Sequence, residues 1–154
     1  MKAKVIVAAL TLCLLSVVVA KADNPHMGVW KLNESKSHFS AGATKNNTVL
    51  YEAAGTDVKV IVDGTNAEGA ATHNEWTGKF NGRFYAVSGD PTSDKRSYRV
   101  INSRAMRLTA KKDGKITLTG SITVSRDGKS RTVVTTGTDA NGKRITNTAV
   151  YDKQ

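Results

Sequence analysis

Between residues 111 and 153 one short motif returns at a fixed step of 14 residues: Asp113-Gly114-Lys115, Asp127-Gly128-Lys129 and Asn141-Gly142-Lys143. Asp-Gly and Asn-Gly favour tight two-residue turns whose central residues need positive φ, so the motif predicts three hairpin turns in series. The runs between them, Ile116-Thr117-Leu118-Thr119 and Arg131-Thr132-Val133-Val134-Thr135, are rich in β-branched residues and partly alternate. Such spacing imposes an antiparallel meander. Consecutive turns of a meander lie at opposite ends, so Asp113-Gly114 and Asn141-Gly142 should share one end and Asp127-Gly128 the other. The lysines riding on these turns are then spread over both ends.

The same pattern extends upstream. Strands are expected at 28–33, 48–52, 58–62, 71–80, 83–87, 98–101 and 106–111, with Asn81-Gly82 as a further hairpin turn and the polar stretch 34–47 as a connection. No long amphipathic helical period appears. The expected fold is all-β, an up-and-down meander of about eight to ten strands, a count read from these turn signals. Closure into a barrel removes the edges that an open meander would expose, and a highly curved open sheet is the alternative. Gly120, which interrupts the long run 116–124, reads as a bulge or bend, and Gly78 and Gly137 as similar points of curvature.

Residues 1–22 read as a signal peptide. Lys2 and Lys4 precede an apolar run, and Ala20-Lys21-Ala22 places small residues where a signal peptidase reads them. The expected location is periplasmic or secreted, with residues 23–154 as one domain. Cys13, the only cysteine, lies within that leader, so disulfides play no part afterwards. Loss of Lys2, Lys4 and Lys21 lowers the net charge from +10 to +7, unevenly distributed: residues 23–88 carry −1 and residues 89–154 carry +8. That asymmetry points to contact with something anionic, or simply to a soluble cationic surface.

Trp30 is expected to plug the base of a barrel, because a large rigid ring buries much area near strand closure. In 71–80 one row holds Thr72, Asn74, Trp76, Gly78 and Phe80, and the other, solvated, row holds His73, Glu75, Thr77 and Lys79. Trp76, Phe80 and Phe84 are equally suited to line a cavity or to fill an ordinary core, and Thr72 and Asn74 add polar groups on the same row. His26, His38 and His73 form no metal-ligand spacing, and neither a nucleophile elbow nor a phosphate loop is present. No metal, cofactor or enzyme chemistry is expected.

Gly28-Val29-Trp30 resembles the opening of lipocalins, and its continuation Lys31-Leu32 resembles the opening of intracellular fatty-acid-binding proteins. Tyr151-Asp152-Lys153 is similar to the ending of that second family, and Trp30-Lys31-Leu32-Asn33 with Lys36-Ser37 and Phe39 resembles exported bacterial lipocalin-like proteins. The resemblance implies a calycin-type barrel in which Gly28 and Trp30 close one end, with a late arginine, Arg144 or Arg131, packed over Trp30. It also implies that Tyr151 offers a hydroxyl to a ligand. Two departures limit it: residues 34–47 are too short and polar for a pair of lid helices, and Ala149 stands where the fatty-acid-binding family has a carboxylate-holding arginine. The expected function is binding of a small apolar or amphipathic ligand by a monomer. The second reading is an envelope module whose basic C-terminal half contacts anionic lipid or polysaccharide. Nucleic acid is not an expected partner, since export removes the chain from it and aromatics do not interleave the basic runs.

Overall fold

The computed structural model describes residues 24–138 and 142–154; the segment read as a signal peptide and Asn141 of the third turn lie outside the described residues. The strands are β1 (Gly28–Leu32), β2 (Lys45–Ala54), β3 (Asp57–Thr65), β4 (Ala71–Gly78), β5 (Tyr85–Ser88), β6 (Lys95–Asn102), β7 (Ala105–Lys112), β8 (Lys115–Val124), β9 (Ser130–Thr138) and β10 (Arg144–Lys153). Each pairs antiparallel with its sequence neighbours, and β1 pairs β10 through Trp30 opposite Lys153 and Leu32 opposite Tyr151. The ten strands thus close into a barrel. No helical lid is present among the described residues; residues 33–44 contribute one 3-10 turn, Glu34–Lys36, capped by the Asn33 side chain.

Cross-strand partners point to the same side, so register sorts the side chains into rows. One inward row runs Val124, Arg131, Tyr151; the next Met106, Ile122, Val133, Ala149; the next Tyr98, Leu108, Gly120, Thr135, Asn147; the last Arg96, Ala110, Leu118, Gly137, Ile145. On the other half, Val60 meets Trp76 and Val62 meets Asn74, so the row of Thr72, Asn74, Trp76 and Gly78 faces inward. One end of the barrel, called the floor here, collects the start of β1 and the β2–β3, β6–β7 and β8–β9 turns. The opposite end, the mouth, collects the 33–44 segment, the β3–β4, β5–β6 and β7–β8 connections, the end of β9 and the start of β10.

Turn chemistry departs from the two-residue expectation at several points. Asp113 (φ 48) and Gly114 (φ 78) both take positive φ, as the tight turn requires. Around Gly128 the loop is longer: Gly128 N donates to Ser125 O at 3.1 Å, and the Asp127 carboxylate accepts from Ser125 Oγ and Lys129 N. Those side-chain acceptors hold a wider loop than the dipeptide alone dictates. Asn81-Gly82 is not a hairpin turn. Gly82 N donates to Tyr98 O at 2.9 Å and Val100 N to Phe80 O at 3.3 Å, so residues 80–82 lie along β6. The β4–β5 connection therefore spans residues 79–84, and β5 keeps only two paired residues with β4 and two with β6.

The bulges also fall elsewhere than at Gly120. On β8 the register shifts opposite Ala110 and Lys111, leaving Thr117 as the extra residue, while Gly120 pairs in an unbroken ladder. A Cβ at Gly120 would stand 2.7 Å from Val134 O, so close approach of the neighbouring strand explains that glycine. A second shift, at Asn47, carries β2 upstream to Lys45; Gly64 permits it, since a Cβ there would meet Lys45 O at 2.2 Å. A Cβ at Gly78 would meet the Tyr85 ring at 2.5 Å, so that ring lies flat on the glycine.

Candidate functional site

The floor is a filled aromatic core with a cation inside it. Trp30 is fully buried, and the Arg131 guanidinium lies 4.8 Å from its ring, 4.9 Å from the Tyr51 ring and 4.7 Å from the Tyr151 ring. Of the two arginines suggested by resemblance, Arg131 therefore covers Trp30. Arg144, expected at the closure, is exposed at the first residue of β10, at the mouth end, because the antiparallel register carries the start of that strand away from the floor. Trp30 Nε1 donates to His26 O at 2.9 Å, which folds residues 24–27 across the floor and buries the His26 ring. Burial, aided by the charges of Arg131 and Lys153, lowers the His26 pKa to about 4, so the ring is neutral near pH 7. Gly28, at φ +102, lets β1 enter beside the Lys153 stem.

Above the floor the aromatics continue. Trp76 stacks on Phe80 at 6.2 Å and meets Tyr98 edge-on at 4.8 Å and Tyr85 at 5.7 Å; Tyr51 meets Phe80 and Tyr98 at 6.1 and 6.3 Å. Burial raises the Tyr51 pKa far above its ordinary value, and that of Tyr151 to about 12, so both hydroxyls stay protonated at any physiological pH. Trp76 and Tyr151, expected to contact a ligand, are thus closed in by protein at 1% and 3% exposure. Phe84, expected to line the interior, instead faces outward at 36% exposure with Lys111 Nζ 4.0 Å from its ring centre. The reason is alternation: Tyr85 takes the inward position on Gly78, which turns its neighbour out.

The mouth half is different. Thr72, Asn74, Leu118, Thr135, Ile145 and Asn147 face inward yet keep partial exposure. Asn74 Oδ1 accepts from Arg96 at 3.1 Å, and Arg96 pairs with Asp90 at 2.8 Å across the wall that short β5 leaves thin. Burial works against charge at both groups, but hydrogen bonds from Ser93 and Thr92 and the charge of Arg96 hold the Asp90 carboxyl below its usual range. Arg96 keeps its proton because Tyr98 and Asp90 outweigh that same desolvation. Trp76 Nε1 donates to Arg96 O at 2.9 Å, tying this polar wall to the aromatic core.

Residues 33–44 form a strap at the mouth beside β10. Asn33 N donates to Val150 O, His38 exchanges backbone bonds with Thr148, and Ser40 N donates to Asn147 Oδ1 at 2.7 Å. Between this strap and the β3–β4 loop lies an open cleft of about 570 Å³ whose walls include Ser37, Phe39, Ser40, Lys45, Thr65 and Asn66. A smaller cleft of about 330 Å³ follows the β4–β5 seam at Glu75, Thr77, Tyr85 and Val87. Phe39 packs against the core with Lys45 over its ring, and Lys45 pairs with Glu34 at 2.7 Å.

Among the sequence candidates, the fold brings Trp76, Phe80 and Tyr151 into the core and Thr72 and Asn74 to the mouth. It adds Arg96, Tyr98, Leu118, Thr135 and Ile145, which only strand register identifies. On the outer face His73 bonds Asp63 at 2.6 Å and lies 3.5 Å from Glu75, a solvated network, and no group of three metal-binding side chains occurs among the described residues. Compared with family models and with the curated proteins, the chain matches none.

Proposed function

We propose that this protein is a lipocalin-like binder of a small amphipathic ligand, seated in the mouth half of the barrel and the cleft beside it. The observation that supports it is the division of the interior: a solid floor of Trp30, Arg131, Tyr51 and Tyr151 below a partly exposed inward wall of Leu118, Ile145, Thr72, Thr135 and Asn74. Such a wall offers apolar area with a few fixed polar groups, the composition of small-molecule sites. The ligand's apolar part would lie against Leu118 and Ile145. Its polar part would meet Asn74 and the strap, where Lys45, Ser37 and Ser40 line the cleft. Exit through the floor is blocked by packed rings, so the strap side is the way in.

Extraction and native mass spectrometry of the purified protein test this reading. A co-purified molecule of a few hundred daltons, or saturable uptake of a neutral amphiphile that Leu118→Trp abolishes, is the expected result. Uptake unchanged by Leu118→Trp, with no co-purified molecule, would refute it.

A further inference from the structure

Several basic residues ride on the turns, but strand register collects four others on one outer face. Lys95 stands directly opposite Lys111, Arg99 opposite Arg107, and Ser97 opposite Thr109 between them. The outward row continues through Thr119, Ser121 and Thr123 of β8 to Thr132, Val134 and Thr136 of β9. No aspartate or glutamate occurs within β6, β7, β8 or β9; the two acids of residues 95–138, Asp113 and Asp127, sit in turns at opposite ends of the barrel. None of Lys95, Arg99, Arg107 and Lys111 has an ion-pair partner among the described residues, although other faces pair Lys45 with Glu34, Lys59 with Glu75 and Lys79 with Asp57.

Like charges directly opposite on a sheet repel, and cross-strand neighbours stand only about 5 Å apart. Two such pairs on one face are therefore an arrangement that works against the fold, and an anionic partner would relieve it. The two pairs are separated by four residues, about 13 Å along an extended strand. Between them Ser97 is buried and Thr109 half-buried, while the exposed hydroxyls of Thr119, Ser121 and Thr123 stand beside them on β8. Exposed apolar side chains border this face at its ends, Ile116 opposite Lys111 with Phe84 under the Lys111 ammonium at one and Val100 and Ile101 at the other, so the stretch between the two cation pairs presents no exposed large apolar side chain to insert among acyl chains.

We infer that the outer face of β6–β9 binds a linear acidic polysaccharide, with Lys95, Arg99, Arg107 and Lys111 meeting its anionic groups and the exposed hydroxyls of Thr119, Ser121 and Thr123 meeting its sugar oxygens. A repeating polymer places anions along a line, as the two cation pairs are placed, and offers acceptors between them. This face is distinct from the ligand site, since its side chains point away from the barrel interior.

The test compares three forms of the chain on heparin and on polygalacturonate, as sulfated and carboxylated probes. These are the wild type, Arg99→Ser/Arg107→Ser, and a charge-matched control, Lys31→Ser/Lys129→Ser, whose residues lie on β1 and the β8–β9 loop. The face variant should bind at least tenfold more weakly, with a shallower dependence of affinity on salt, while the control changes less than twofold. Because relief of like-charge repulsion should leave the face variant at least as heat-stable as wild type, a melting curve separates lost binding from lost folding. Equal weakening in both variants would reduce the effect to net charge and overturn the inference. Binding to vesicles of phosphatidylglycerol and phosphatidylcholine, without binding to either polysaccharide, would overturn it in favour of a membrane surface.

Discussion

The Arg131 guanidinium is held by three ring faces, with no carboxylate paired to it among the described residues, and its Nε and Nη1 have no hydrogen-bond partner. Cation–π attraction in a desolvated site, together with the packing of a long planar side chain, offsets the cost of burying its charge. Arg131→Ala should lower stability by about 3 kcal/mol, from lost packing and lost ring contacts together. Arg131→Lys should lose about half as much, since an ammonium cannot lie flat on three rings. Urea unfolding measures both, and a variant as stable as wild type would show that the rings pack without the cation. His26 gives a pH dependence of definite sign. Its pKa falls from 6.5 in the unfolded chain to about 4 when folded, so between those values the unfolded state binds more protons. Its contribution is full above pH 6.5 and is lost as pH falls towards 4, in all about 3 kcal/mol. His26→Phe should flatten the stability profile over that window, and an unchanged slope would place the acid sensitivity elsewhere. Exposed His73, whose pKa is raised mainly by its bond to Asp63, works in the opposite sense, favouring the fold below its ordinary pKa and losing that effect as pH rises. Trp30 announces itself in the sequence by its glycine-led strand; the choice of Arg131 over Arg144 does not, because it depends on which arginine the register sets opposite Tyr151.

At the scale of elements, β7 and β8 meet in a turn whose chemistry is local and therefore legible. Asp113 and Gly114 both need positive φ, and Gly114→Val should cost about 1–2 kcal/mol because a β-branched residue is strained there. Thermal unfolding checks this, and an unaffected midpoint would mean the turn adopts another form. The β4–β5 connection was not legible in the same way. Asn81-Gly82 carries the dipeptide of a hairpin, yet residues 80–82 find backbone partners on β6, a non-local competition that no window of sequence contains. Gly78 belongs to the same lesson: its role is the Tyr85 ring seven residues later. Gly78→Ala should displace that ring and cost about 1–3 kcal/mol by overpacking, with a change in near-ultraviolet circular dichroism from the Trp76 cluster. Retention of both stability and spectrum would show that the ring has room to move.

For the whole molecule, alternation and turn spacing are enough to read a closed meander, since closure is the way ten antiparallel strands leave no edge. What they leave unread is how far the interior is filled, because filling depends on which inward row each side chain joins and at what height. Rows of Trp30, Tyr51, Trp76, Tyr98 and Tyr151 make one half solid, while glycine, threonine and asparagine at Gly120, Gly137, Thr135, Thr72 and Asn74 leave the other half thinner-walled. The proposed ligand site is thereby confined to the mouth, with buried Trp76 and Tyr151 beneath it. The most direct measurement is an NMR titration of the labelled protein with a neutral amphiphile such as decanol, read at the backbone amides. A ligand site at the mouth predicts saturable shifts at Thr72, Asn74, Leu118, Thr135 and Ile145 and along residues 37–43, with Trp30 and Arg131 unmoved. Shifts confined to the outer face of β6–β9, or none at millimolar amphiphile, would contradict it.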